Sequence, residues 1–184
     1  MKLKFYRIRQ EAKMPVRAHS IDAGMDLFYC PDKKSNDDCY WEPEGEYKIP
    51  PGESCLVPTG LKVSVPENYM LEVKNKSGIA HKQKLIVGAC VVDPGYTGEI
   101  FVNLHNIGGS TRTIQPGQKV AQAVLVPIST CEGEETTDDP SNTETSRSSG
   151  GFGSTGLVCP KRLCKQCFPQ RQRNGKPRKT YLIT

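Results

Sequence analysis

Val91-Val92-Asp93-Pro94-Gly95-Tyr96-Thr97-Gly98-Glu99-Ile100 decides how the rest of the chain is read. An apolar run enters this stretch and another leaves it, with Pro-Gly and Thr-Gly between, so the pattern predicts strand, tight turn, strand. The predicted β-hairpin tip presents one carboxylate, Asp93, and one aromatic ring, Tyr96. Two readings stand side by side. In one, Asp93 caps turn amides and Tyr96 packs over its own hairpin; in the other, both face a ligand.

Working outward, short apolar runs separated by turn signals recur on both sides. Leu3–Ile8, Ala23–Phe28, Leu56–Val65, Met70–Lys74, Leu85–Val92, Ile100–Leu104 and Lys119–Ile128 read as strands, with Pro50-Pro51-Gly52, Val65-Pro66-Glu67-Asn68 and Gln115-Pro116-Gly117-Gln118 as turns between them. The polar excursion from Cys30 to Gly52 reads as a surface insertion anchored by Trp41 and Tyr47. With 14 Pro, 17 Gly and no sustained helical period in 184 residues, an all-β protein is expected, one domain with a sizeable core. No run approaches the length of a membrane span, and Met1-Lys2-Leu3-Lys4-Phe5 alternates like a strand rather than a signal peptide. A soluble intracellular protein, cytoplasmic or nuclear, with no membrane partner is expected. Cys30, Cys39, Cys55, Cys90 and Cys131 show no secreted-scaffold rhythm, which fits that expectation.

The net charge of +5 hides three chemically different segments. Residues 1–130 carry 16 basic and 14 acidic side chains and form the predicted β domain; 131–156 carry six acidic side chains and the single Arg147; 157–184 carry eight basic and no acidic ones.

Several side chains stand out within these segments. Asp26 opens an apolar strand just after Gly24, where its carboxylate either faces a pocket or caps a turn. Asn75-Lys76-Ser77-Gly78-Ile79-Ala80-His81 reads as the opening of one short helix, with Ser77 as N-cap and Lys76 beside free amides, an arrangement that suits an anion or an ordinary capped surface turn. Gln122 is either a buried polar group with a role or the outward face of a strand. Arg147-Ser148-Ser149-Gly150-Gly151-Phe152-Gly153-Ser154-Thr155-Gly156 is more specific. Its glycines let the backbone wrap a phosphate chain, and Phe152 offers a stacking face for a base, where a plain Gly/Ser linker needs neither Arg nor Phe.

Five segments taken in order resemble the five motifs of the homotrimeric dUTPases: Ala23–Phe28, Lys76–Ala80, Val87–Glu99, Gly117–Gln122 and Arg147–Gly156. The resemblance implies a jelly-roll-like β-barrel with one short helix, a homotrimer with active sites between subunits, and a flexible C-terminal arm that closes a neighbour's site. It implies that Asp93 deprotonates a water attacking the α-phosphorus of dUTP, giving dUMP and diphosphate, and that Tyr96 excludes a 2′-hydroxyl. It further implies that Gly88, Ala89 and Cys90 read the uracil edge and that Phe152, with Gly153 beside it, covers the ring. Lys76, Ser77, Gly78, Gln122, Arg147, Ser154 and Thr155 would hold phosphates, and Asp26 would lie near the water shell of Mg2+. Lys76 stands where the family usually has Arg, Cys90 where it often has Gly, and Ser148 where Gly commonly follows the Arg. The alternatives are a dCTP-acting relative, deaminase or diphosphatase, and a non-catalytic regulatory module on the same fold.

The ending has no counterpart in that family. Cys159, Cys164 and Cys167, spaced C-x4-C-x2-C, offer three thiolates for zinc, one short of a closed tetrahedral site, the other reading being free thiols in an unstructured tail. The basic run from Arg171 to Lys179 suits nucleic acid or another acidic partner, or a solvated tail; a virus-encoded origin is compatible with such an appendage.

Overall fold

The structure is a computed structural model, described here for residues 2–32, 40–41, 45–145, 147–151 and 154. It separates into two units, 1–132 and 133–184.

The described residues of the first unit form twelve strands: β1 (Lys4–Arg7), β2 (Met25–Phe28), β3 (Tyr40–Trp41), β4 (Tyr47–Ile49), β5 (Ser54–Pro58), β6 (Leu61–Ser64), β7 (Tyr69–Lys74), β8 (Leu85–Val87), β9 (Val91–Val92), β10 (Phe101–Asn106), β11 (Arg112–Ile114) and β12 (Lys119–Pro127). They form antiparallel sheets in the orders β2-β12-β7-β9, β5-β10-β8, β11-β4-β3 and β1-β6. The architecture is all-β, as expected from alternating short runs, and jelly-roll-like, as the family resemblance implies. Period-2 alternation decides which side chains go inside: along β10, Val102, Leu104 and Asn106 are buried while Phe101, Asn103 and His105 point the other way. Leu27, Leu61, Leu71 and Leu104 meet in one continuous core with no accessible surface, each worth about 1.5–3 kcal/mol of burial.

Three expectations change. The run Leu56–Val65 is two strands, because the chain kinks at Thr59-Gly60, where Gly60 has φ +71° and a Cβ would lie 2.7 Å from that of Ala12. The 30–52 excursion is not only a surface insertion. Tyr47 and Ile49 are buried, β4 pairs with both β3 and β11, and the Tyr47 ring meets Tyr29 edge-on at 5.2 Å. The Tyr29 hydroxyl also donates to the Gly45 carbonyl at 2.6 Å. The Trp41 side chain lies outside the described residues.

The third change concerns the stretch 91–100. Val91–Val92 and the strand after Ile100 do not pair with each other as a tight hairpin. Val92 lies opposite Leu71 in β7, whereas β10 lies between β5 and β8. Residues 88–100 are therefore the long connection of a β8–β10 pair, stitched to the other sheet midway by β9. Extra backbone pairing on a neighbouring sheet overrode the local turn signal.

In the second unit, a 3₁₀ turn at Pro140–Asn142 is capped by Asp139, which accepts from the Ser141 amide at 2.8 Å. A further turn closes where the Gly150 amide donates to the Arg147 carbonyl at 3.1 Å.

Candidate active site

Asp26 is only 4% exposed. Its Oδ1 accepts from Lys76 Nζ at 2.5 Å, and Lys119 Nζ lies 2.7 Å from Oδ2. The second contact is an ion pair without an aligned hydrogen bond, so Oδ2 lacks a well-directed donor among the described residues. Burial pushes the Asp26 carboxyl upward, but the Lys119 and Lys76 ammoniums outweigh it and hold it below its ordinary value. Asp26 therefore caps no turn; it is a charged centre with an excess of one positive charge around it, two ammoniums against one carboxylate. Strand pairing brings the three together, since Gln122 and Lys119 in β12 face β2 and Gln122 also faces Lys74 in β7.

Gln122 is half-buried and donates through Nε2 to the Asn75 carbonyl at 2.9 Å. It lies so close over Gly24 that a Cβ there would overlap its carboxamide. Asn75 then reaches the next loop, its Oδ1 accepting from the Val87 amide at 2.6 Å. Beyond Lys76 the chain turns through a π-helical turn, Ile79–Gln83. Ser77 is not its N-cap: Gly78 occupies that place with helical φ and ψ and no side-chain cap hydrogen bond. The reason is local, because helical turning has already begun at Lys76, whose carbonyl accepts from the Ala80 amide at 2.9 Å. Ser77 and Gly78 are both exposed.

Gly88 and Ala89 are exposed and Cys90 is half-buried. The Gly88 amide donates to the Asn103 carbonyl at 2.9 Å, and the Cys90 carbonyl accepts from Val73 at 2.7 Å. A little further on, Asp93 is exposed, and no described residue pairs with its carboxylate. The turn-capping reading of Asp93 falls, since its backbone carbonyl, not its side chain, receives the Tyr96 amide at 3.3 Å. Tyr96 keeps something of both readings. Its hydroxyl donates to the Glu99 carbonyl at 2.9 Å, and its ring covers Gly98, where a Cβ would overlap it, yet 46% of the residue remains exposed. Gly95, Tyr96 and Thr97 also border a cleft of about 400 Å³ against Phe5, Lys62 and Val63. That cleft contains no carboxylate, so it is not where a water would be activated.

What fixes this turn was not singled out in the sequence. The Glu99 side chain is 8% exposed and forms a two-pronged pair with Arg9; its Oε1 also accepts from the Gly60 amide at 2.6 Å. Arg9 bridges onward to Asp32 at 3.2 Å. Burial lowers the basicity of Arg9, but its contacts with Glu99 and Cys30 together more than restore it. Thr59 Oγ1 donates to the Ile100 carbonyl at 2.7 Å. The Thr59-Gly60 kink therefore clamps the exit of the turn. Lys119, Asn75, Asn103 and His105 were also missed; polar residues at strand ends and on outward strand faces carry no local signal of what they meet.

In the arm, Arg147 Nε donates to the Gly150 carbonyl at 3.2 Å, and the Ser154 amide donates to that of Gly151 at 3.1 Å. Phe152, Gly153 and Thr155 lie outside the described residues, as do Cys159, Cys164, Cys167 and the basic run. Among the described residues no three His, Cys, Asp or Glu side chains gather around a point. The carboxylate that the resemblance places near a magnesium ion, Asp26, has oxygens that already face ammoniums. Those donors fit a place in the ion's water shell, with most oxygens coming from phosphates, and not a protein cage. No helix among the described residues is long and apolar enough to cross a membrane.

The chain is similar to known proteins over most of its length. It is 40% identical over 160 residues to the deoxyuridine 5'-triphosphate nucleotidohydrolase of Gloeothece citriformis, covering 86% of this chain and 99% of that one. It is 36% identical over 156 residues to the enzyme of the same name from Clostridium tetani, covering 84% and 96%. Among solved structures, the Staphylococcus bacteriophage 80alpha dUTPase with dUPNHPP superposes with a TM-score of 0.70 at 24% identity over 85% of this chain and 99% of that one. A mutant dUTPase from phage phi11 of S. aureus, described with a structural Mg(II) ion, superposes at 0.64 with 25% identity over 76% and 99%. The dUTPase family profile matches residues 43–156, and the chain belongs to the dUTPase family.

Proposed function

We propose that this chain hydrolyses dUTP to dUMP and diphosphate, limiting uracil incorporation into DNA and supplying dUMP for dTMP synthesis. The observation that carries the reading is the Asp93 carboxylate, exposed and unpaired among the described residues on a turn clamped by Glu99, Arg9 and the Thr59-Gly60 kink. A free carboxylate at a fixed place suits a general base that takes a proton from a water held against the α-phosphorus. Tyr96 offers its exposed ring face to the sugar, where a 2′-hydroxyl finds no room. The surplus positive charge of Lys76 and Lys119 over Asp26 attracts the triphosphate, with Ser77, Gly78 and Gln122 at its edge. Arg147, Phe152, Gly153, Ser154 and Thr155 complete the phosphate and base contacts from the arm. A bound Mg2+, with Asp26 near its water shell, would neutralise phosphate charge and so ease departure of diphosphate.

The chain works as a homotrimer in this reading. Leu56, Val91 and Phe101 are apolar yet 49%, 53% and 39% exposed on the strands around the site, which supports contact with further copies. Tail contacts with nucleic acid, zinc at Cys159, Cys164 and Cys167, and a cytoplasmic or nuclear location rest on composition alone. The test is purified protein with Mg2+ and each of dUTP, dCTP, dTTP and UTP, following diphosphate and the nucleoside product. Hydrolysis confined to dUTP is expected. Preference for dCTP, or deamination, makes this a dCTP-acting relative; no turnover of any nucleotide makes it a binding module.

A further inference from the structure

The side chain of Asn103 lies against the segment given the task of reading the base. Asn103 sits in β10 one residue before Leu104, which faces Val87, so it lies opposite Gly88 where the 88–100 connection leaves the β8–β10 pair. Its Oδ1 accepts from the Ala89 amide at 3.2 Å and lies 2.8 Å from His105 Nε2. A Cβ on Gly88 would overlap both Asn103 Oδ1 and His105 Nε2. The carboxamide thus rests directly on the Gly88-Ala89 backbone, which only glycine at position 88 permits.

This contact redistributes the hydrogen-bonding groups of the loop. The Ala89 amide is already used and offers nothing to a base. Because a backbone N–H can only donate, Oδ1 is the atom that faces Ala89; His105 must then carry its proton on Nε2, and the Asn103 Nδ2 group is turned away with two donors that no described residue accepts. Asn103 is half-buried, and its Nδ2 is not among the buried polar atoms left without a partner, so these donors are open to solvent and to a ligand. Among the described residues, the Gly88 and Ala89 carbonyls and the Cys90 amide have no backbone partner. Uracil presents acceptor, donor, acceptor along O2, N3–H and O4. An edge complementary to it needs donor, acceptor, donor, which the Cys90 amide, a loop carbonyl and one further donor supply.

We infer that Asn103 is a specificity-determining residue whose Nδ2 donates to a carbonyl of the uracil ring, replacing the donor that Ala89 has given up, with His105 as the positioning residue that fixes the carboxamide's orientation. The inference rests on the reading of residues 88–90 as the base site and adds to it a side chain of this chain's own.

The experiment uses the full-length enzyme with Asn103→Asp and Asn103→Ala, and Asp93→Asn in parallel. Asn103→Asp keeps the acceptor for Ala89 and His105 but sets an acceptor where Nδ2 stood. It should raise the KM for dUTP about tenfold or more with kcat within about twofold and an unchanged melting temperature. Asn103→Ala should raise KM less. Deoxyuridine, which has no phosphate to be repelled by the added charge, should lose affinity as a competitive inhibitor of Asn103→Asp by a similar factor. A rise of dCTP turnover relative to dUTP in Asn103→Asp supports contact with O4, and parallel loss of both supports contact with O2. The inference is overturned if Asn103→Asp behaves as the parent while Asn103→Ala is impaired, the order that mere support of the loop demands, or if deoxyuridine binds Asn103→Asp as it binds the parent. If Asp93→Asn retains full turnover, the underlying placement of the active site is what fails.

Discussion

Asp26 and Asp93 are two aspartates at strand ends in one small domain, and their surroundings differ in almost every respect. Asp26 is buried, flanked by two ammoniums and held charged. Asp93 is exposed, with no described group paired to its carboxylate. A carboxylate engaged by two cations is a poor proton acceptor and a good organiser of charge, whereas one left free on a clamped turn can take a proton from water. In the proposed reaction the contrast divides the work of the site: Asp26 would gather the cations that meet phosphate, and Asp93 would perform the proton transfer.

The sharpest way to break this division is to neutralise each carboxylate in turn. Asp93→Asn should lower kcat by roughly 10²–10⁴-fold with nucleotide binding and melting temperature retained, because the group is exposed and pairs with nothing described. Retained turnover in steady-state assays would move the base elsewhere.

Next in size is the clamp beneath Asp93. Glu99→Ala leaves Arg9 partly buried, 17% exposed at its side chain, with Asp32 and the Cys30 carbonyl as its remaining partners and the Gly60 amide unmet. Removing one member of such a pair should cost about 3 kcal/mol, read as a lowered denaturation midpoint, and kcat should fall with it as the turn loosens. A variant that loses stability but keeps kcat would show that the clamp supports the fold and not the position of Asp93.

How far the sequence carried this comparison depends on residue type and range. Alternation along β10 and the Gly-Pro punctuation marked the strands, since those signals are local. The motif residues Asp26, Asp93 and Gln122 were legible as candidates, but their states were not: capping a turn was an equal reading of Asp26 until Lys76 and Lys119 arrived from far along the chain. Thr59-Gly60 was hidden inside an apolar run because a glycine kink in a strand leaves the periodicity intact. Glu99 appeared only as the end of a motif, and Arg9 not at all, because an ion pair across such a sequence distance leaves no pattern in either neighbourhood.

A smaller effect tests the Asp26 side of the contrast through pH. Its folded-state pKa is depressed below the ordinary 3.8. The stabilisation is therefore present above that value and disappears as pH falls through the folded-state value. Asp26→Asn should be less stable than the parent by about 2 kcal/mol at neutral pH, moderated by the 28% and 47% exposure of the Lys76 and Lys119 side chains. The gap between the two should close as pH falls below the ordinary 3.8 and through the depressed folded-state value, followed in urea titrations. A gap independent of pH would mean that packing, not charge, is what Asp26 contributes.

The smallest change separates the two jobs of Tyr96. Tyr96→Phe removes only the hydroxyl that donates to the Glu99 carbonyl, an exposed bond worth about 1 kcal/mol or less. The ring that covers Gly98, and that faces the sugar in the proposed reading, stays. Stability should drop by no more than that amount, and the ratio of UTP to dUTP turnover should remain that of the parent, because exclusion of a 2′-hydroxyl is a matter of volume. Tyr96→Ala supplies the contrast: it vacates the ring's place, so UTP turnover should rise several-fold relative to dUTP. If Tyr96→Phe already raises that ratio, discrimination runs through the hydroxyl's hold on the turn. Asp93 and the sugar site would then be governed by the same Glu99 clamp, and the division between a free carboxylate and its rigid support would have to be redrawn with Tyr96 on the side of the support.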